Sequence, residues 1–170
     1  MRSKRLLSVL TAGVLCLSLL PSAALAAESM DNFKAGRTYA DGQFTDVSPS
    51  SWYAGSVESA YELGLVSGTS ETTFDPNGSI TIGSALALSC RLHSIYHTGT
   101  ADFVQGSPWY QVYVDYAVEN GIIAEGRYSD YNAAATRRQF AAILAQALPE
   151  SALTAINEID YGAIPDVATG

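Results

Sequence analysis

Two stretches of this chain carry the same or similar residues in the same order, and a copied unit constrains the fold more than composition does. The first reads Trp52-Tyr53, Val57, Ala60-Tyr61, Gly64-Leu65-Val66, Asp75-Pro76-Asn77 and Thr81. The second reads Trp109-Tyr110, Val114, Ala117-Val118, Gly121-Ile122-Ile123, Asp130-Tyr131-Asn132 and Thr136. The copies lie 57 residues apart at their tryptophans and 55 apart at their threonines, so one loop is two residues shorter in the second. A repeat of this length is one supersecondary unit, which cannot bury its apolar face alone and must pack on a neighbour.

Within each copy the periodicity is helical. Apolar residues at 53, 57, 60, 61 and 64, and at 110, 114, 117, 118 and 121, form the i, i+4, i+7, i+8 stripe of an amphipathic helix. Gly64 and Gly121 fit the positive φ that commonly ends a helix. A turn-rich loop follows, 67–78 or 125–132, with one aromatic (Phe74 or Tyr128) expected to plug it onto the core. A second helix then starts at Thr81 or Thr136, with apolar positions Ala85, Leu88 and Leu92 in one copy and Phe140, Ile143, Leu144 and Ala147 in the other. Strand signals are weak. The expected fold is mainly α, built of tandem helix-loop-helix repeats.

The N-terminus reads as a secretory signal peptide over residues 1–26. Arg2, Lys4 and Arg5 precede the apolar run Leu6–Leu20, and Ala24-Leu25-Ala26 offers a cleavage site. That run is shorter than the roughly 20 residues a bilayer span needs, and no later segment is long and apolar enough, so no membrane span is expected after cleavage. Cleavage would remove Cys16 and leave Cys90 alone, so no internal disulfide framework is available and Cys90 reads as a small buried hydrophobe. His93 and His97 lie nearby, His93 at the expected ragged end of its helix, but no catalytic motif surrounds them.

Three of the nine Lys and Arg residues fall in the signal and none of the 17 acidic residues do, so the remainder carries a net charge of −11. That balance argues against nucleic acid and anionic membranes as partners. No nucleophile elbow, no metal-spaced His/Cys set and no phosphate-cradling glycine loop is present, so no enzymatic role, metal or cofactor is expected. Residues 27–43 form a polar linker or loosely docked lead-in.

In such a chain the run Thr136-Arg137-Arg138-Gln139 stands out. Thr136 suits the N-cap and Gln139 can complete a capping box. The two arginines then occupy a helix start that free amides and the macrodipole already make positive. Either they pair with the chain's own carboxylates, Asp130 for instance, or they converge on an external anion. Trp52 and Trp109, at the first-helix starts, are expected mainly to pack on the core, with stacking on a sugar face as the alternative. Gly68 and Gly126 either let a ligand approach the backbone or make plain tight turns.

The order and spacing of Phe44-Thr45-Asp46-Val47, Trp52, Gly64-Leu65-Val66, Phe74-Asp75-Pro76-Asn77 and a Thr-Arg-led second helix resemble the S-layer homology domain family, from about Phe44 to Leu148. The resemblance implies three repeats in a pseudo-threefold helical bundle, here incomplete. It also implies binding of anionic, often pyruvylated secondary cell wall polysaccharides that attach exported proteins to the bacterial surface. The family signature is Thr-Arg-Ala-Glu. Thr136-Arg137 keeps its first half, whereas Thr81-Ile82-Gly83-Ser84 keeps only the threonine. The implied domains are a first repeat at 44–100, a second at 101–155 and, from the echo Ile164-Pro165-Asp166-Val167, the start of a truncated third at 156–170. Two complete repeats leave an apolar face open, so self-association or instability is expected.

The implied function is a non-catalytic cell-wall anchoring module at the cell surface. Arg137, Arg138 and Thr136 would grip the glycan, and Trp109, Trp52, Gly68 and Gly126 would shape its groove. The alternatives are a structural or self-assembly module without glycan binding, and the anchoring end of a larger surface enzyme.

Overall fold

The computed structural model describes residues 27–153; the expected signal peptide and the start of a third repeat lie outside the described residues. Among the described residues the elements are α1 (Ala54–Glu62), α2 (Ile82–Thr98), α3 (Gln111–Glu119) and α4 (Arg137–Leu144), with 3-10 turns at Met30–Asn32 and Glu150–Ala152. The nearest approach to a sheet is one antiparallel bridge, Thr81 with Ala134. The fold is mainly α, as the periodicity predicts.

The two copies end their first helices with the same bonds. Leu65 N–H donates to Ala60 O and Gly64 N–H to Tyr61 O; Ile122 N–H donates to Ala117 O and Gly121 N–H to Val118 O. This pattern needs a left-handed residue after the cap, and Gly64 (φ 73°) and Gly121 (φ 71°) supply it. The second helices also start alike: Thr81 Oγ1 accepts from Ser84 N, and Thr136 Oγ1 accepts from Gln139 N.

The copies nevertheless do not fold onto themselves. α2, from the first copy, packs against both α3 and α4 of the second. Ser89 Oγ, fully buried, donates to Ile143 O across the α2–α4 contact. α2 is therefore the central helix, and two expectations change. Of its expected apolar positions Ala85 is buried, but Leu88 and Leu92 are not fully so. Leu86, Ala87, Ser89 and Cys90 are buried with Ala85, whereas Leu88 and Leu92 are only half-buried, because neighbours cover the helix on more than one side. It also runs past His93 to Thr98, where Gly99 (φ 79°) donates its N–H to Ile95 O, so His93 is interior to the helix.

On α3 the largest fully buried side chain is Tyr113, one position off the predicted stripe. Its counterpart 57 residues earlier, Ser56, is exposed. Burying an aromatic of this size stabilises by roughly 2–3 kcal/mol, and only the second copy has α2 alongside to provide that burial.

α1 belongs to a separate cluster of Phe44, Val47 and Val57, ringed by Tyr39, Tyr53, Tyr61 and Phe74. Phe74 and Tyr128 plug their loops onto the two cores as expected. The lead-in is docked. Ser29 N–H donates to Tyr96 O, Gly36 N–H donates to Glu62 O, and the His97 ring lies 3.0 Å from Glu28. Within the Phe44-Thr45-Asp46-Val47 motif, Asp46 accepts from Phe74 N at 2.9 Å and from Asp75 N at 2.7 Å, which ties the motif to the loop. Those amide bonds, Phe74 first and then Asp75, hold the Asp46 carboxyl below its ordinary 3.8.

Candidate functional site

The start of α4 is built as the sequence predicts. Thr136 and Gln139 complete a capping box: Gln139 N–H donates to Thr136 Oγ1 at 3.2 Å, and Thr136 N–H donates to Gln139 Oε1 at 2.9 Å. Arg137 and Arg138 are exposed, and neither lies within 4.0 Å of a carboxylate among the described residues. Asp130, the expected internal partner, accepts from Asn132 N instead. The backbone amides of Arg137 and Arg138 also have no acceptor among the described residues.

The same position in the first copy is closed. Ile82 N–H donates to Ala133 O at 3.0 Å and Gly83 N–H to Tyr131 O at 2.8 Å, while Ala135 N–H donates to Ile80 O. The loop before α4 thus covers the start of α2 with backbone carbonyls. The replaced signature residues follow from this contact. Ile82 is buried where the second copy has Arg137. A Cβ on Gly83 would meet Tyr110 Cβ and Tyr131 O, each at 3.1 Å. An arginine at either position would put an unpaired charge, or too much volume, into a packed contact.

Beside that contact lies a groove of about 650 Å³ between the 65–81 loop, α2 and the segment before α3. Gly68 and Trp109 line it, as do Thr81, Ser84, Arg91 and Gln105. Gly68 has φ 84°, and a Cβ there would fall 2.5 Å from Phe44 Cε1 and 2.6 Å from Thr73 O, so this glycine is required by packing as well as by conformation. Gly126 (φ 67°) has open space around it, so only its backbone conformation calls for glycine. Trp109 packs on the core, edge-on to Tyr110 and Tyr113. Trp52 does not: it is 92% exposed and touches Tyr53 edge-on, because among the described residues no neighbouring copy covers α1 as the start of α2 covers Trp109.

The seven predicted residues are spread over several elements, and two of them line the groove. Gly68 and Trp109 line the groove; Thr136, Arg137 and Arg138 form the α4 start; Gly126 lies in the loop between α3 and α4; Trp52 stands apart. The cation in the groove is Arg91, which the sequence reading passed over. Nη1 donates to Leu65 O at 3.0 Å, Nη2 donates to the Tyr113 hydroxyl at 2.8 Å, and the guanidinium carbon is 5.4 Å from the Tyr113 ring centre. Gln105 Nε2 donates to the same hydroxyl at 3.2 Å. A lone arginine within an apolar helix was the available signal.

Cys90 has no catalytic geometry. It is fully buried, its thiol donates to Tyr113 O at 3.3 Å, and burial pushes it up to about 12. His93 Nδ1 pairs with the Tyr116 hydroxyl at 2.8 Å, and burial and the adjacent His97 lower its pKa. Among the described residues no group of three or more His, Cys, Asp or Glu is placed to hold a metal, and no helix is long and apolar enough to cross a membrane.

Comparison with known proteins adds the decisive observation: residues 43–81 match the S-layer homology domain family. The chain carries an S-layer homology domain. The matched span of this domain runs from Gln43, just before the Asp46 motif, to Thr81, the cap of α2. The chain is also similar to the surface-layer 125 kDa protein of Lysinibacillus sphaericus, at 30% identity over 117 residues. That alignment takes in 64% of this chain and 10% of the relative, so the chain spans about a tenth of the protein it matches. No solved structure matches. The S-layer homology domain and this relative together support a cell-surface, surface-layer location and a role as an anchoring or surface-layer module.

Proposed function

We propose that the chain is a cell-wall anchoring module that holds an anionic secondary cell wall polysaccharide, with S-layer homology repeats at 44–100 and 101–155. The observation that carries this reading is the open start of α4. In the first copy two carbonyl oxygens take the first amides of α2. In the second the equivalent amides are open, and two exposed guanidinium groups accompany them in place of an apolar residue and a glycine. An acceptor-rich anion fits where the carbonyls sit in the first copy. Arg137 pairs with the glycan's carboxylate, Arg138 assists, and Thr136 holds the helix start in shape.

The test is co-sedimentation with purified sacculi, before and after the secondary polymer is stripped. Wild-type chain should pellet with intact sacculi only. An R137A/R138A chain should lose about tenfold or more of that affinity, the scale of a lost charge-assisted pair. Undiminished binding by the double variant would end the assignment.

One observation favours a second reading, a self-assembly module that binds no glycan. Trp52 presents an uncovered ring, and the first copy spends its helix start on contact with the second copy. On that reading sedimentation velocity shows association that ignores the polymer, and association is lost in W52A.

A further inference from the structure

We propose that the open start of α4 docks on a second molecule of this chain, at the Trp52 face of that molecule's first repeat, so that chains join head to tail. One α4 start holds the wall polymer or a partner chain but not both, so the inference goes beyond the anchoring reading. It rests on the self-assembly reading and deepens it by naming the surface that Trp52 meets.

The template for this contact lies within the chain. The start of α2 docks on the second repeat through three backbone bonds: Ile82 N–H to Ala133 O, Gly83 N–H to Tyr131 O, and Ala135 N–H to Ile80 O. Gly83 also lies against Tyr110 and Trp109. Moved one repeat along, the same three bonds run from Arg137 N–H to Gly78 O, from Arg138 N–H to Pro76 O and from Ile80 N–H to Ala135 O. All six of these groups lack a hydrogen-bond partner among the described residues, and within one chain the two sets do not meet. The apolar part of the surface is copied as well. Trp52 stands edge-on to Tyr53 with ring centres 5.5 Å apart, as Trp109 stands to Tyr110 at 5.8 Å. Trp52 and Ile80 are both exposed. The first repeat thus presents the receiving half of the intrachain contact, and the α4 start presents the inserting half.

Charge favours the join. Residues 27–80 carry eight acidic side chains against Lys34 and Arg37, so Arg137 and Arg138 approach a face of opposite sign. Arg138 stands where the α2 start has Gly83, and a side chain there holds the partner a few tenths of an ångström farther out than in the template. The space goes to its guanidinium, which stacks on the exposed Trp52 ring. Arg137, in the place of Ile82, extends its stem along the contact and keeps its charge at the wet rim. The join is therefore looser than its intrachain template, and reversible. Because the two surfaces differ, a joined pair still offers one of each, and further chains add at its ends.

The experiment is sedimentation velocity of the full chain over a wide range of concentration, with W52A, with R137P/R138A and with an equimolar mixture of the two. Proline is tolerated at the first position of a helix, so R137P deletes an amide donor and a guanidinium while the α4 start keeps its shape. Wild type should grow past the dimer as concentration rises, and each variant alone should associate about tenfold or more weakly. The mixture should form pairs and stop there, because one intact α4 start meets one intact Trp52 face. Wild type that stays monomeric throughout overturns the inference together with the self-assembly reading. Association lost in W52A but kept in R137P/R138A overturns the inference alone and leaves that reading standing, and a mixture that does not pair does the same. Should a variant fail to fold, amide NMR of the wild type decides. The Arg137, Arg138 and Ile80 signals should shift together as the chain is concentrated, and signals that stay still in an associating sample overturn the inference.

Discussion

Alanine at Gly68 and at Gly126 separates two reasons for a glycine. Both positions have left-handed backbones, φ 84° and 67°. A side chain at such a φ costs about 1–2 kcal/mol, and the gain from a stiffer unfolded chain is common to both substitutions. What differs is space. The Cβ of G126A meets nothing within 4 Å, whereas that of G68A lies 2.5 Å from Phe44 Cε1, 2.6 Å from Thr73 O and 2.8 Å from Ser70 O. Two of these are backbone atoms, and Phe44 is held by Tyr39, Tyr61 and Phe74, so relief requires moving the α1 cluster. Overpacking of this kind adds about 1–3 kcal/mol. G126A should therefore cost about 1–2 kcal/mol and G68A about 2–5 kcal/mol in urea unfolding followed by circular dichroism. Equal costs, or a smaller one for G68A, would refute the claim that the loop is packed against Phe44.

The remaining predictions are local. T136A removes the acceptor for Gln139 N–H and should cost about 1 kcal/mol, with faster amide exchange at Gln139 but not at Ser84. The Asp46 carboxyl is lowered in the folded chain, so its contribution is present above the unfolded pKa and is lost as pH falls through the lower folded value. Below about pH 4 the amide signals of Phe74 and Asp75 should shift toward unbonded positions, and D46N should flatten that dependence. In a C16S chain, Cys90 should stay unreactive toward a thiol reagent at pH 8 until denaturant is added, because its thiol is buried and raised to about 12.

Much of the local structure was legible because it depends on neighbours within one turn. Gly64 and Gly121 end helices, Thr81 and Thr136 begin them, and Gln139 closes its box, since cap geometry is decided by a few adjacent dihedrals and donors. Charge was also legible: six basic residues against 17 acidic after position 26 made a pair of arginines conspicuous. The role of Asp46 was not, because its partners Phe74 and Asp75 lie 28 and 29 residues on, and nothing local marks that distance.

The sequence alone determined the helical units, their copied order and the shape of each helix end, because these follow from periodicity and short-range hydrogen bonding. Only the tertiary structure decided which copy covers which. It wrapped α2 in the helices of the following copy, buried Tyr113 where Ser56 stays wet, left Trp52 uncovered and closed the Ile82 start while the Arg137 start stayed open. It also made Arg91 the cation of the groove. The physical reason is that burial belongs to pairs of surfaces, and two similarly patterned units acquire different chemistry when, among the described residues, one has a neighbour that the other lacks.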